Sequence, residues 1–176
     1  MPFIEIQYFQ TDVGELIIGS FNNRLCLCDW RYRRQRKQID DRIAKGLGAS
    51  YAITESEVIA NTKAQLNEYF SKQREEFSIP LLLVGTDFQK SVWRSLLQIP
   101  HGSTETYLDL AKRMGNEKAV RAVAAANGAN ALSIIIPCHR VVGAKGELVG
   151  YAGGIDAKRA LLRLEDSKGT SQLQLF

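Results

Sequence analysis

The 176-residue chain is poor in the residues that build covalent or metal-held scaffolds: three cysteines, two histidines and four prolines. Cys26, Cys28 and Cys138 are odd in number and too few for the disulfide framework of a small secreted module. Cys26 and Cys28 are one residue apart, and His101 and His139 are the only histidines. That falls short of a structural zinc site, which takes four ligands and usually a C-x2–4-C spacing. No apolar run approaches the roughly 18 residues of a membrane span. The opening MPFIEIQYFQTDVG has no basic start followed by an apolar stretch, so it does not read as a secretory signal. The expectation is a soluble, cytoplasmic protein that engages no membrane and holds no metal.

The formal net charge of +4 is unevenly spread. Residues 1–85 carry 11 basic and 11 acidic side chains, whereas residues 86–176 carry 12 and 8. A basic half fits nucleic acid, although charge alone does not require it. The densest positive run, residues 31–45, holds seven basic and two acidic residues but only Tyr32 as a stacking group. It reads better as a solvated helix or loop face than as a nucleic-acid surface.

The first half opens as a meander. Ile4, Ile6 and Tyr8 alternate with polar neighbours, Leu16–Ile18 form a second strand, and Leu25, Leu27 and Asp29 a third. Val13-Gly14 and Asn22-Asn23 supply the turns. The apolar face needs a cover, and SEVIANTKAQLNEYF provides one: Val58, Ile59, Leu66, Tyr69 and Phe70 fall at helical spacing. Cys26 and Cys28 share one strand face and read as buried, apolar-like thiols. Ile79–Val84, an apolar stretch around Pro80, reads as an edge strand ended by Gly85, and a domain border is expected there.

In the second half Thr86 or Asp87 can cap a helix through FQKSVWRSLLQI, with Phe88, Val92, Trp93, Leu96 and Leu97 as its apolar stripe. Phe88 and Trp93 are expected in the core. Ser103 is a candidate cap for a helix carrying Tyr107, Leu108, Ala111 and Met114, which Gly115 stops. Asn116 can cap a second helix closing at Gly128. Two short helices joined by a Gly-Asn turn have the form of a helix-turn-helix, although many such hairpins bind no DNA. Ala119, Ala122, Ala124, Ala125 and Ala126 make the second helix thin, with Arg121 its one long cation and Lys118 three residues earlier.

LSIIIPCHRVVG carries the chemistry. Ile134–Ile136 reads as a buried strand that delivers Pro137, Cys138, His139 and Arg140 beside a glycine-rich loop. A reactive cysteine needs a base or positive field to become a thiolate, and the base needs an orienting group. On an extended segment His139 would reach Cys138 only through a water or a bend. Glu165, on the helix DAKRALLRLE, is the candidate orienter. Local spacing leaves hydrolase, transferase and redox thiol open, although no second nearby cysteine supports a dithiol mechanism.

IIIPCHRVVGAKGELVGYAGG followed by KRALLRLE, with FQKSVWRSLLQIPHG, TETYLDLA and GNEKAVRAV in order before it, resembles the O6-alkylguanine-DNA alkyltransferases, or methylated-DNA–protein-cysteine methyltransferases. The match is dense over residues 86–168 and loose before them. The resemblance implies an α/β two-domain fold. Residues 1–85 would be a structural domain with a small ribonuclease-H-like sheet and helices. Residues 86–176 would be a winged-helix-like domain for DNA binding and alkyl transfer.

The implied reaction is irreversible, stoichiometric transfer of the alkyl group from O6-alkylguanine, and O4-alkylthymine, to Cys138 after nucleotide flipping. His139 would generate the thiolate through a water, Glu165 would orient His139, and Asn130 would bridge the second helix and the site. Tyr107 would neutralise the departing guanine and crowd the DNA phosphate. Arg121 would fill the vacated stack, with Lys118, Ala119 and Ala122 at the DNA. Met114, Val141, Tyr151, Ala152 and Gly153 would line the base pocket. The implied partner is double-stranded DNA held through the minor groove by a monomer, and no cofactor is implied.

Ala152 stands where some relatives carry serine, Ala131 where some have proline, and Ala160 and Leu164 where others have tryptophan and histidine. These departures bear on substrate range. A non-catalytic lesion sensor on the same scaffold would replace Cys138, and a helix-turn-helix regulator would leave Cys138-His139 without a purpose.

Overall fold

Two asparagines in the left-handed region, Asn22 (φ 49°) and Asn23 (φ 60°), turn the chain between its second and third strands. Positive φ at both central residues is the signature of the tight hairpin turn whose twist matches its strands, and asparagine tolerates it well. The computed structural model describes residues 2–166. The chain divides into two compact units, Met1–Thr86 and Asp87–Phe176.

In the first unit β1 (Phe3–Thr11), β2 (Gly14–Phe21) and β3 (Arg24–Trp30) form the expected antiparallel meander. Helix α1 (Arg36–Leu47) then leads to β4 (Ser50–Ile53), which pairs parallel to β1. The sheet is therefore mixed, in the order β3-β2-β1-β4. Sequence reasoning did not anticipate β4, because SYAI is too short to show a period. Helix α2 (Glu57–Phe70) starts at Ser56, whose hydroxyl accepts from the Ile59 N–H, and packs on β1, β2 and β3. Ile59, Leu66 and Tyr69 are buried as the helical period requires, together with Ile4, Ile18, Leu25 and Leu27 of the strands.

Cys26 and Cys28 are free and buried; burial pushes Cys26 up to about 12 and Cys28 higher still. Both are inert core thiols. The edge strand expected at Ile79–Val84 shrinks to one bridge, Leu25 with Leu81, flanked by Leu25 N–H to Pro80 O and Leu82 N–H to Leu25 O, both 2.8 Å. Proline has no N–H with which to extend the ladder.

The basic run is not simply a solvated face. Asp29, fully buried at the end of β3, accepts from Arg33 and Arg36 at 3.0 Å each, and Arg36 reaches on to Asp40 at 2.8 Å. Two of the seven cations thus neutralise one carboxylate beneath α1.

In the second unit α3 (Asp87–Leu96) buries Val92, Trp93 and Leu96, and the Trp93 indole donates to Ala126 O at 2.8 Å. Phe88 (40% exposed) and Leu97 (47%) lie outside this core, contrary to expectation: they flank the buried stripe rather than continue it. Helix α4 (Tyr107–Arg113) follows the two-residue β5 (Glu105–Thr106), and its cap is Thr106, not Ser103; the Thr106 hydroxyl accepts from Asp109 N–H at 3.0 Å. Gly115, at φ 84°, ends this turn of chain as read from sequence.

A 3₁₀ turn, Glu117–Ala119, precedes α5 (Val120–Gly128), and Asn116 makes no side-chain cap. β6 (Val141–Val142) pairs parallel to β5, and α6 (Ile155–Glu165) closes the described chain. Among the described residues no helix is long and apolar enough to cross a membrane.

Asp29→Ala should destabilise the protein by about 3–5 kcal/mol, because it strands the buried Arg33 guanidinium. Urea denaturation measures this; a loss below about 1 kcal/mol would mean the cluster carries little stability.

Candidate active site

The segment that brings Cys138 to its place is a turn rather than a strand. Ser133 and Ile136 bridge across a turn at residues 134–135, and Ile134 sits at φ 73°, a costly conformation for a β-branched residue. Asn130 holds this turn from inside: its Nδ2 donates to Ile136 O at 2.9 Å and its Oδ1 accepts from Leu132 N–H at 3.0 Å. Asn130 lies two residues past the end of α5, beyond its cap Ala129, and is 2% exposed, so it joins the end of that helix to the turn.

Past Pro137, residues Cys138–Arg140 form a single 3₁₀ turn. The extended geometry expected for Cys138 and His139 is therefore absent; all three side chains are buried, with Cys138 at 3% exposure. His139 Nε2 lies 2.7 Å from Glu165 Oε1. A carboxylate accepts only, so Nε2 carries the hydrogen and Nδ1 the lone pair. Nδ1 is buried without a hydrogen-bond partner among the described residues.

Arg140 supplies what sequence reasoning missed. Its Nε and Nη2 donate to the two Glu165 oxygens at 2.9 Å each, and Nη1 donates to Ile99 O at 2.7 Å. Burial alone would raise Glu165, but His139 and Arg140 outweigh it and hold the carboxyl well below the usual range. Burial also pushes His139 below its ordinary value, against the pull of Glu165, so the imidazole is neutral at rest. The ion pair is thus chiefly Arg140 with Glu165, and His139 is a neutral base aligned by it. Arg140 next to His139 carried no local signal, because its carboxylate partner is 25 residues away.

Two more polar groups converge here. Lys158, fully buried on α6, donates to Val141 O at 2.6 Å, Val149 O at 3.1 Å and Gly150 O at 3.4 Å. Burial pushes its ammonium down to about 8, and the charge of Cys138 acts against that. Lys158 ties β6 to the glycine-rich loop, which explains a charge inside the apolar stripe of α6. Tyr107, half-buried at the start of α4, is raised by burial and then by the Cys138 charge, and a hydrogen bond with Asn127 lowers it in part. Asn127, buried on α5, also donates to Cys138 O at 3.4 Å.

The structure therefore brings Cys138, His139, Glu165, Tyr107, Asn130 and Val141 into one neighbourhood. Tyr151 stands edge-on to His139, with ring centroids 6.4 Å apart, and Ala152 and Gly153 follow it half-exposed. Met114 is half-buried at the end of α4. Lys118, Arg121 and Ala122 are exposed, and Ala119 half-exposed, on the 3₁₀ turn and first turn of α5. Among the described residues no cluster of histidine, cysteine or acidic side chains could hold a metal.

A family model described as the 6-O-methylguanine DNA methyltransferase DNA-binding domain matches residues 87–167. The methylated-DNA–protein-cysteine methyltransferase of Mycobacterium tuberculosis is 54% identical over 112 residues, covering 64% of this chain and 68% of that protein. The Methanosarcina acetivorans protein of the same name is 39% identical over 159 residues, covering 90% and 96%. The crystal structure of M. tuberculosis O6-methylguanine methyltransferase superposes with a TM-score of 0.79 at 36% identity, over 98% of this chain and 99% of that one. The M. tuberculosis OGT structure in complex with DNA gives 0.79 at 37% identity over the same shares.

The site makes stability pH-dependent in a defined direction. Glu165 and His139 both have folded-state values below their unfolded ones, so the unfolded chain binds more protons as pH falls. Stability should be full above about pH 7 and decline through the ordinary histidine and carboxylate ranges, about 6.5 and 4.3. Glu165→Gln should flatten the lower part of that decline in acid-unfolding curves; an unchanged slope would show that the carboxyl is not held ionised.

Proposed function

Because the chain belongs to the 6-O-methylguanine DNA methyltransferase family, we propose that it repairs DNA by moving the alkyl group of O6-alkylguanine irreversibly onto Cys138. It is a methylated-DNA–protein-cysteine methyltransferase in this reading, and one chain is consumed per lesion. The observation that carries it is the buried His139 whose Nε2 is tied to an ionised carboxylate and whose Nδ1 remains as an acceptor in the turn of Cys138.

The chemistry balances as a single displacement. His139 takes the thiol proton through a water, and the Glu165–Arg140 pair stabilises the imidazolium that forms. Cys138 Sγ attacks the alkyl carbon in line as the carbon–O6 bond breaks and the electron pair leaves with guanine. Tyr107 gives that anion its proton and regains one from the His139 imidazolium through solvent, so the net movement is one proton from the thiol to guanine. Developing negative charge on a poor leaving group is where a positioned donor lowers the barrier most. The product thioether has no ready leaving group, so Cys138 is not regenerated.

The target carbon sits inside a duplex, so the nucleotide must be flipped out. The exposed Arg121 on alanine-rich α5 would fill the gap, with Lys118, Ala119 and Ala122 against the backbone. A helix faced with alanine suits the minor groove, where base readout is degenerate and lesion repair need not depend on sequence. Met114, Val141, Tyr151, Ala152 and Gly153 would receive the base, and O4-alkylthymine is a second substrate. The first unit would be a ribonuclease-H-like structural domain and the second a winged-helix-like DNA-binding domain, acting as a cytoplasmic monomer.

Intact mass after mixing with an O6-methylguanine duplex should rise by about 14 Da, on Cys138 and once only. Cys138→Ala should show no gain; an unchanged mass in folded wild-type protein would refute the reading. Arg121→Ala should slow transfer from the duplex at least about tenfold while sparing reaction with the free modified base. Equal slowing of both would remove its part in flipping.

A further inference from the structure

A cation without an anion is buried between the nucleophile and the proposed base pocket. Lys158 on α6 is fully buried, and the buried residues next to it on that helix, Ala157, Leu161 and Leu162, are apolar. Among the described residues its acceptors are three backbone carbonyls and no carboxylate: Val141 O at 2.6 Å, Val149 O at 3.1 Å and Gly150 O at 3.4 Å. An ammonium has three hydrogens, and each finds one acceptor here. Burying a charge without a counter-ion is unfavourable, and methionine would fill similar space without it. What separates the lysine from methionine is its hold on two backbone segments, and those segments are the two sides of the site. Val141 directly follows the Cys138–Arg140 turn, and its N–H closes that turn on Cys138 O. Val149 and Gly150 directly precede Tyr151, Ala152 and Gly153, the residues proposed to receive the base. Past them Gly154 N–H bonds to Tyr151 O at 3.0 Å and α6 begins. The Tyr151–Gly153 wall is thus held at one end by the start of α6 and at the other by an ammonium on the first turn of that helix.

We infer that Lys158 is a positioning residue for alkyl transfer: its ammonium fixes the distance between the Cys138 turn and the Tyr151–Gly153 wall, so that a base on the wall has its alkyl carbon in line with the thiol. This rests on the function proposed above. A misplacement of about 1 Å can slow a reaction about 100-fold. Residues 143–154 lie in neither helix nor strand, so turns and side-chain bonds are what place them. Losing a proton would release the hold, because a neutral amine has two hydrogens and turns a lone pair toward a carbonyl oxygen. Burial pushes Lys158 down to about 8, against the Cys138 charge, so the release falls at mildly alkaline pH. The titratable groups facing it from the adjoining turn are Cys138 and His139, the latter neutral at rest. In the loop are the Tyr151 phenol and Glu147, whose carboxylate accepts from Lys145 N–H at 2.7 Å. On α6 Glu165 is bonded to Arg140 and His139, and Asp156 to Arg159; on β5 Glu105 is bonded to Arg113.

The test compares single-turnover transfer from an O6-methylguanine duplex with iodoacetamide labelling of Cys138 at the same pH. Labelling reports the thiolate alone, whereas transfer also needs the wall in place. In Lys158→Met, transfer should fall at least about tenfold further than labelling, from the duplex and from the free modified base alike. In wild type the ratio of transfer to labelling should fall as pH rises from about 7 to 9.5, and in Lys158→Met that ratio should be flat.

Transfer and labelling that fall in step would overturn the inference, since the lysine would then act on the thiol or on folding at large. A loss confined to the duplex would overturn it too, by placing the effect at the DNA surface. If Lys158→Met does not fold, the wild-type ratio decides alone, and a ratio unchanged over that pH range refutes the positioning role. Wild-type transfer in the same assay separates the questions. No transfer by wild type at any pH would remove the function on which the inference rests, whereas wild-type transfer with an unaltered ratio in Lys158→Met would remove only the role of Lys158.

Discussion

The second unit depends on a buried carboxylate with two kinds of partner. Glu165 is 1% exposed, and a lone charge there would be neutralised by protonation rather than tolerated. Arg140 prevents that by giving both oxygens a charge-assisted hydrogen bond. With the anion secured by a guanidinium, the imidazole of His139 has no need to be charged, and burial keeps it neutral. A neutral imidazole of known tautomer can receive a thiol proton. The same fork, through Ile99 O, pins the Cys138–Arg140 turn to the chain beyond α3. Catalytic alignment and local folding therefore share one ion pair.

Around that pair the backbone is over-determined. Asn130 satisfies a donor and an acceptor inside the Leu132–Ile136 turn and holds Ile134 in its unfavourable conformation. Lys158 gathers three carbonyls of β6 and the loop that follows, a cation spent on backbone oxygens rather than on a carboxylate. Asn127 reaches from α5 to the Cys138 carbonyl. Each of these buried polar side chains fixes chain segments that have almost no regular secondary structure of their own. A single-use nucleophile gains from this, because its placement must be right at the one encounter it has.

The first unit solves a similar problem with opposite sign. Asp29 is buried at the end of β3, and Arg33 and Arg36, arriving as the chain enters α1, neutralise it. The run that looks like a nucleic-acid patch in sequence is thus partly a folding device. Its remaining cations, such as Arg34 and Lys37, are exposed.

What the sequence determined by itself was whatever follows from short-range periodicity and from motif order. The meander, the covering helix, the paired helices at α4 and α5, and the identities of Cys138, His139 and Glu165 all lay in local pattern or in the resemblance of the PCHRV region. The tertiary structure decided what depends on distant partners or on backbone hydrogen bonds. β4 needs β1 beside it, and Ile134–Ile136 is a turn because Asn130 reaches in from the end of α5. Phe88 is half in solvent because its neighbours choose the other flank of α3. Arg140, Lys158 and Asn127 were not legible as site residues, since a cation or amide declares its role only when its acceptor is known. Those acceptors lie 25, 17 and 11 residues away along the chain, beyond any period that a strand or helix imposes.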